Sequence, residues 1–163
     1  MIEMQLGGLG FDPRNLSPLV LLRDQEELNF LPIWIGVFEA AAIAMELQGV
    51  QPPRPMTHDL LKDAIEKLGG KTKRVLINDM KEGTFFAAVE VETKEGKLLT
   101  LDARPSDAIA LAVRSQAPIM VAEGVMMQAK LVNSEKDAEE TKKFKDFIAD
   151  LRPEDFTKYY KKD

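Results

Sequence analysis

Apolar and polar residues alternate at the start of the chain, Ile2, Met4 and Leu6 against Glu3 and Gln5, which predicts a strand that Gly7, Gly8 and Gly10 bring to an end. A turn-rich connection over 11–17 leads into an apolar run from Pro18 to Arg23. A polar turn at Asp24 to Glu27 separates that run from a third strand, Leu28 to Ile35, so a hairpin feeds the next element. The spacing then becomes helical through an alanine-rich segment that Gly49 closes as a C-cap. Pro52, Pro53 and Pro55 hold Gln51 to Met56 extended. Thr57 reads as the N-cap of a half-exposed helix with Leu60, Leu61, Ala64, Ile65 and Leu68 on one face, stopped by Gly69 and Gly70.

Three strands follow, Lys73 to Asp79, Thr84 to Thr93 and Lys97 to Asp102, and their short turns at 81–83 and 94–96 predict an antiparallel meander. Leu99, Leu101 and Ala103 share one face of the last of them, Thr100 and Asp102 the other. Pro105 fits a first helical position, Asp107 the first turn and Arg114 the last. Between them Ala108, Ile109, Ala110, Leu111, Ala112 and Val113 leave no polar side, which predicts a helix buried all round that Pro118 terminates. Ile119 to Ala122 reads as a short strand and Val125 to Ala129 as one or two helical turns. Ser134 suits the cap of a last helix striped by Ala138, Thr141, Phe144, Ile148 and Leu151, ahead of a tail carrying Phe156, Tyr159 and Tyr160.

The stretch from Leu31 to Gln48 can be laid without gaps on Leu99 to Gln116, matching Ile33 with Leu101, Trp34 with Asp102 and Glu39 with Asp107. An acidic first turn aligned with an acidic first turn predicts an internal duplication, with repeats at about 18–48 and 86–116. The expected fold is α+β: a duplicated unit of strand hairpin and helix, a largely antiparallel sheet and two buried alanine-rich helices. The expected organisation is one domain over 1–132 followed by an amphipathic helix and tail over 133–163.

Composition narrows the chemistry. The 163 residues hold no cysteine, which removes disulfides, thiolate metal sites and a cysteine nucleophile. The absence of a basic leader and of a bilayer-spanning apolar run predicts a soluble, cytoplasmic protein with no membrane contact. A net charge of −5 argues against a broad nucleic-acid footprint but leaves room for a local basic cleft. No phosphate loop, dinucleotide fingerprint, zinc spacing or nucleophile elbow is present, and no organic cofactor is expected.

Asp102, Arg104, Ser106 and Asp107 crowd the second strand-to-helix joint. Free N–H groups at the helix start, with Arg104 and Ser106, can hold a phosphate while Asp102 and Asp107 share a divalent ion, the arrangement for phosphodiester hydrolysis. Equally, Asp107 can serve the helix dipole and Arg104 pair with Asp102 or Asp107 as scaffold. Glu39 joins the acidic set if the two helix starts converge. His58, the sole histidine, stands beside Asp59 and can act as a general base or be an ordinary neighbour in a first turn. Arg54 between prolines is a further candidate for phosphate or for a second subunit. Trp34 reads as packing, or as a ring on which a base stacks.

Three spaced motifs, Leu31-Pro32-Ile33-Trp34-Ile35-Gly36 with Glu39-Ala40, Arg54-Pro55-Met56-Thr57-His58-Asp59-Leu60, and Asp102-Ala103-Arg104-Pro105-Ser106-Asp107-Ala108 running to Ala112 with Ala117-Pro118-Ile119, resemble the bifunctional nuclease family over the first four fifths of the chain. The resemblance implies a compact α+β protein that associates in pairs, here a homodimer, with DNA or RNA as substrate. Joined to the residue reading, it implies Asp102 and Asp107 as Mg or Mn ligands, Arg104, Ser106 and Arg54 on substrate, and Glu39 or His58 in proton transfer. The alternative, from a different class, is a non-catalytic regulatory or interaction module of the same fold.

Overall fold

In the computed structural model, which describes residues 1–134, a seven-stranded sheet carries four helices. The strands are β1 (Ile2–Phe11), β2 (Pro18–Arg23), β3 (Phe30–Trp34), β4 (Lys71–Lys81), β5 (Thr84–Glu92), β6 (Leu98–Ala103) and β7 (Ile119–Val121). The helices are α1 (Val37–Leu47), α2 (Thr57–Lys67), α3 (Pro105–Ser115) and α4 (Glu123–Ser134). Strand order is β3-β2-β1-β7-β4-β5-β6, antiparallel throughout except where β7 runs parallel to β4. Each edge of the sheet is therefore the second strand of a hairpin whose chain continues into a helix.

Those two helices, α1 and α3, pack against each other, and a run of alanines lets them approach. Ala40 to Ala44 and Ala108 to Ala112 are all buried. With Leu22, Leu31, Ile33, Val75, Ile77, Val89 and Val91 from the sheet, Ala40, Ile43, Ala44 and Ala108 to Ala112 form one continuous core. Under the alignment of Leu31 on Leu99, α1 falls on α3 position for position, each eleven residues long.

Several local expectations give way. The early glycines do not end β1: it runs on to Phe11 through a bulge between Leu6 and Gly8, where Gly7 lies against Arg23 and the Leu21 carbonyl so closely that an added Cβ would stand 3.1–3.2 Å from them. Thr57 is the first residue of α2 rather than its cap; Met56 holds the cap position, and Asp59 accepts the Met56 backbone N–H at 2.9 Å. The apolar face read on α2 is mostly in water: Leu60 is 61% and Leu68 88% exposed, and Ile65 is the residue that reaches the core. β6 is likewise exposed along Leu98, Leu99 and Leu101, because it lies beyond the helix layer at the open edge. α4 is three turns, longer than the one or two read from Val125 to Ala129, and Ser134 is its last described residue. The stripe and aromatic tail from Ala138 onward lie outside the described residues. Among the described residues no helix is long and apolar enough to cross a membrane.

Candidate active site

Each of the first three helices carries an acid at its third position, Glu39, Asp59 and Asp107. A carboxylate there can bond backward to the free N–H groups of its own first turn. Asp59 does so. Glu39 and Asp107 bond instead to Arg104, the cap residue of α3, which donates from Nε to Asp107 Oδ2 and from Nη2 to Glu39 Oε1, both at 2.8 Å. The two helix starts thus converge on one guanidinium, and both carboxylates hold it in its charged form.

Asp107 offers its other oxygen to α2: His58 Nε2 lies 2.8 Å from Asp107 Oδ1. Burial on its own would push the Asp107 carboxyl up, but the bonds from His58 and Arg104 outweigh it and hold the pKa below the ordinary value of 3.8. With Asp107 ionised, the hydrogen belongs on His58 Nε2 and the lone pair is left on Nδ1. His58 is only 8% exposed, whereas the Arg104 side chain is 66% exposed. Glu39, Arg104, Asp107 and His58 form a single row along one wall of a cavity of about 540 Å³.

The placement of His58 depends on a bond made behind it. Arg114, whose side chain is 4% exposed, donates to Asp59 Oδ1 at 2.7 Å and to the carbonyls of Ala110 and Ala42 at 2.9 Å. One side chain therefore joins α1, α2 and α3. The Asp59 carboxyl, which burial would raise, is held low by Arg114 and the Met56 N–H.

The structure gathers four of the candidates and leaves three outside. Asp102 is exposed on β6, opposite Ala88, and makes no hydrogen bond or ion pair among the described residues. Ser106 is 6% exposed, turned from solvent beside the row. Arg54 lines a separate cavity of about 260 Å³ with Asp59 and Arg114. Among the described residues no group of three or more His, Asp or Glu is placed to hold a metal ion. Trp34, 40% exposed, donates from Nε1 to Asp12 Oδ2 at 3.1 Å. Sequence reasoning missed the apolar half of the cavity, Phe38, Ala41, Ala42, Met45 and Met56, and the Arg114 to Asp59 bond. The signal for the first was there: Phe38, Ala41, Ala42 and Met45 follow helical spacing on one face of α1.

Comparison with known proteins places this geometry in context. The sequence profile described as the bifunctional nuclease domain matches residues 20–134. An uncharacterised protein of Mycobacterium tuberculosis is 43% identical over 96% of this chain and 98% of its own length. Bifunctional nuclease 2 of Oryza sativa subsp. japonica is 32% identical over 64% of this chain and 33% of its own length. Bifunctional nuclease 2 of Arabidopsis thaliana is 29% identical over 64% and 32%. The match to the plant proteins thus spans about a third of each.

Proposed function

Since the chain belongs to the bifunctional nuclease domain family, we propose that it hydrolyses phosphodiester bonds of DNA, RNA or both, with the row Glu39, Arg104, Asp107 and His58 as its active site. The observation that supports this most is an imidazole oriented by an ionised carboxylate on the same cavity wall as an exposed guanidinium. In this reading Arg104 binds the phosphate and stabilises charge gathering on its oxygens. His58 Nδ1 takes a proton from the attacking water as its oxygen bonds to phosphorus, Asp107 holds the ring and the imidazolium that forms, and the imidazolium returns that proton to the leaving sugar oxygen as the ester P–O bond breaks. Glu39 positions the guanidinium from the far side.

The donor set fits a divalent ion poorly. Asp107 spends one oxygen on His58 and the other on Arg104, Glu39 spends one on Arg104, and Asp102 lies outside the row. Mg or Mn sites are built from carboxylates free to coordinate, so no step is assigned to an ion. Labelled single-stranded DNA and RNA, incubated with the protein in chelator and separately with Mg²⁺ or Mn²⁺, test the reading. Cutting is expected in chelator, and His58→Ala and Asp107→Asn should each lower it by about 100-fold or more while the melting temperature stays within a few degrees. Wild-type protein that cuts under none of these conditions overturns the proposal.

A specific observation favours a second reading, a non-catalytic interaction module that pairs with itself. β6 exposes Leu99 at 40% and Leu101 at 45% along an unpaired edge, the kind of edge that recruits another strand. Antiparallel pairing of two copies about Thr100 sets Leu99 of each copy against Leu101 of the other. Light scattering on wild type and Leu101→Lys checks it: a dimer that Leu101→Lys converts to monomer supports the pairing, and a wild-type monomer removes it.

A further inference from the structure

The cavity has a second wall that hydrolysis leaves unused. Besides the ionic row it is lined by Thr57 and by the apolar Phe38, Ala41, Ala42, Met45 and Met56. Phe38 is 80% exposed and Met56 48%, so two large apolar side chains flank the opening. The floor is hollow because Ala41 and Ala42 contribute only methyl groups. An occupant must be apolar over most of its body and polar at the edge that meets the ionic row. It can also carry an anion: Arg104 turns Nε and Nη2 to the carboxylates, with Nη2 2.8 Å from both Glu39 Oε1 and Asp107 Oδ2, and its Nη1 has no partner among the described residues. Those outward N–H groups open beside the apolar wall.

A base joined to its phosphate meets each of these demands, and we propose that the cavity is a nucleobase subsite that takes one unpaired base of a single-stranded nucleic acid, stacked on Phe38, with the adjoining phosphate on Arg104. The inference rests on the phosphodiester reading and narrows its substrate to single strands. A base inside a duplex is already stacked on both faces and must be flipped out before it can enter. Every base offers a π face, and methionine adapts its shape to what it touches, so the subsite discriminates little between bases.

The test measures fluorescence anisotropy of the full chain with two labelled phosphorothioate dodecamers, one of thymidine and one abasic throughout, so that they differ only in the bases. The thymidine strand is expected to bind about ten-fold tighter, the scale of one stacking contact. Phe38→Ala, which removes the ring, and Ala41→Leu, which fills the floor, should each abolish that preference. Neither alters the ionic row. Equal binding of the two strands, no binding of either, or a preference that survives both variants overturns the subsite. Failure here and failure of the hydrolytic reading are separable. A chain that cuts nothing yet keeps a base preference dependent on Phe38 loses the hydrolase and retains the subsite. A chain that cuts abasic and base-bearing strands alike, with or without Phe38, retains the hydrolase and loses the subsite.

Discussion

The two hairpin-to-helix corners of this molecule share a residue pattern and differ in what covers them. Leu31 and Ile33 on β3 are 0% and 2% exposed, and their counterparts on β6, Leu99 and Leu101, are 40% and 45% exposed. The cap positions differ as well. Gly36 begins α1, and Arg104, its counterpart, begins α3. A side chain at 36 would collide with the Glu39 carboxylate, so the bare glycine keeps open the space from which Glu39 meets Arg104. One corner is thus the sealed receiver of a bond that the other, open corner donates. Identical periodicity fixes which way a side chain points but not whether anything lies in front of it.

Matched substitutions can break that contrast. Leu31→Ala should cost about 3 kcal/mol, a buried leucine leaving a cavity, and Leu99→Ala under about 1 kcal/mol in urea unfolding. Equal losses would show that a second molecule covers β6 in solution. Arg114→Met leaves Asp59 without its partner and should cost on the order of 2–3 kcal/mol; Glu46→Met, at the aligned position on the exposed side of α1, should fall within about 0.5 kcal/mol.

Acid sharpens the comparison next. The Arg14 side chain, with help from the Arg14 backbone N–H and Trp34, holds the buried Asp12 carboxyl at about 2, against an ordinary 3.8. Folding therefore favours the ionised form. The stabilisation is fully present above pH 3.8 and is lost as the pH falls toward 2, and it amounts to on the order of 2 kcal/mol. Because Trp34 is the only tryptophan and bonds Asp12 directly, its fluorescence should titrate in that range, and Asp12→Asn should remove the transition. The smallest effect is expected of Gly36→Ala. Its backbone angles suit alanine, so stability should move by less than about 0.5 kcal/mol, while displacement of Glu39 should lower cutting by a few-fold. Unchanged cutting would show that Arg104 needs only Asp107.

Most of the strands, their antiparallel pairing and the buried alanine helices were legible because each rests on local spacing and turn chemistry. Glu39 and Asp107 could be paired in advance through the aligned corners. The partner of Asp107 was not legible, since His58 lies 49 positions away and only the docking of α2 on α3 brings it close. Asp102 stood two positions from Arg104 and still missed the row, being exposed on β6 while Arg104 turns to the start of α3. Arg114 read as a dipole partner at a helix end, and nothing local announces that a buried guanidinium will reach two other helices.

The attachment of α2 has a practical consequence. Its first turn is pinned through His58 and Asp59, whereas farther along Ile65 is what meets the core and Leu68 stands in solvent. A dye, crosslinker or surface tether placed at Leu68 would therefore sit on the same rigid rod as the imidazole, three turns removed from it. It would report any tilt of that rod when a ligand arrives without intruding on the chemistry.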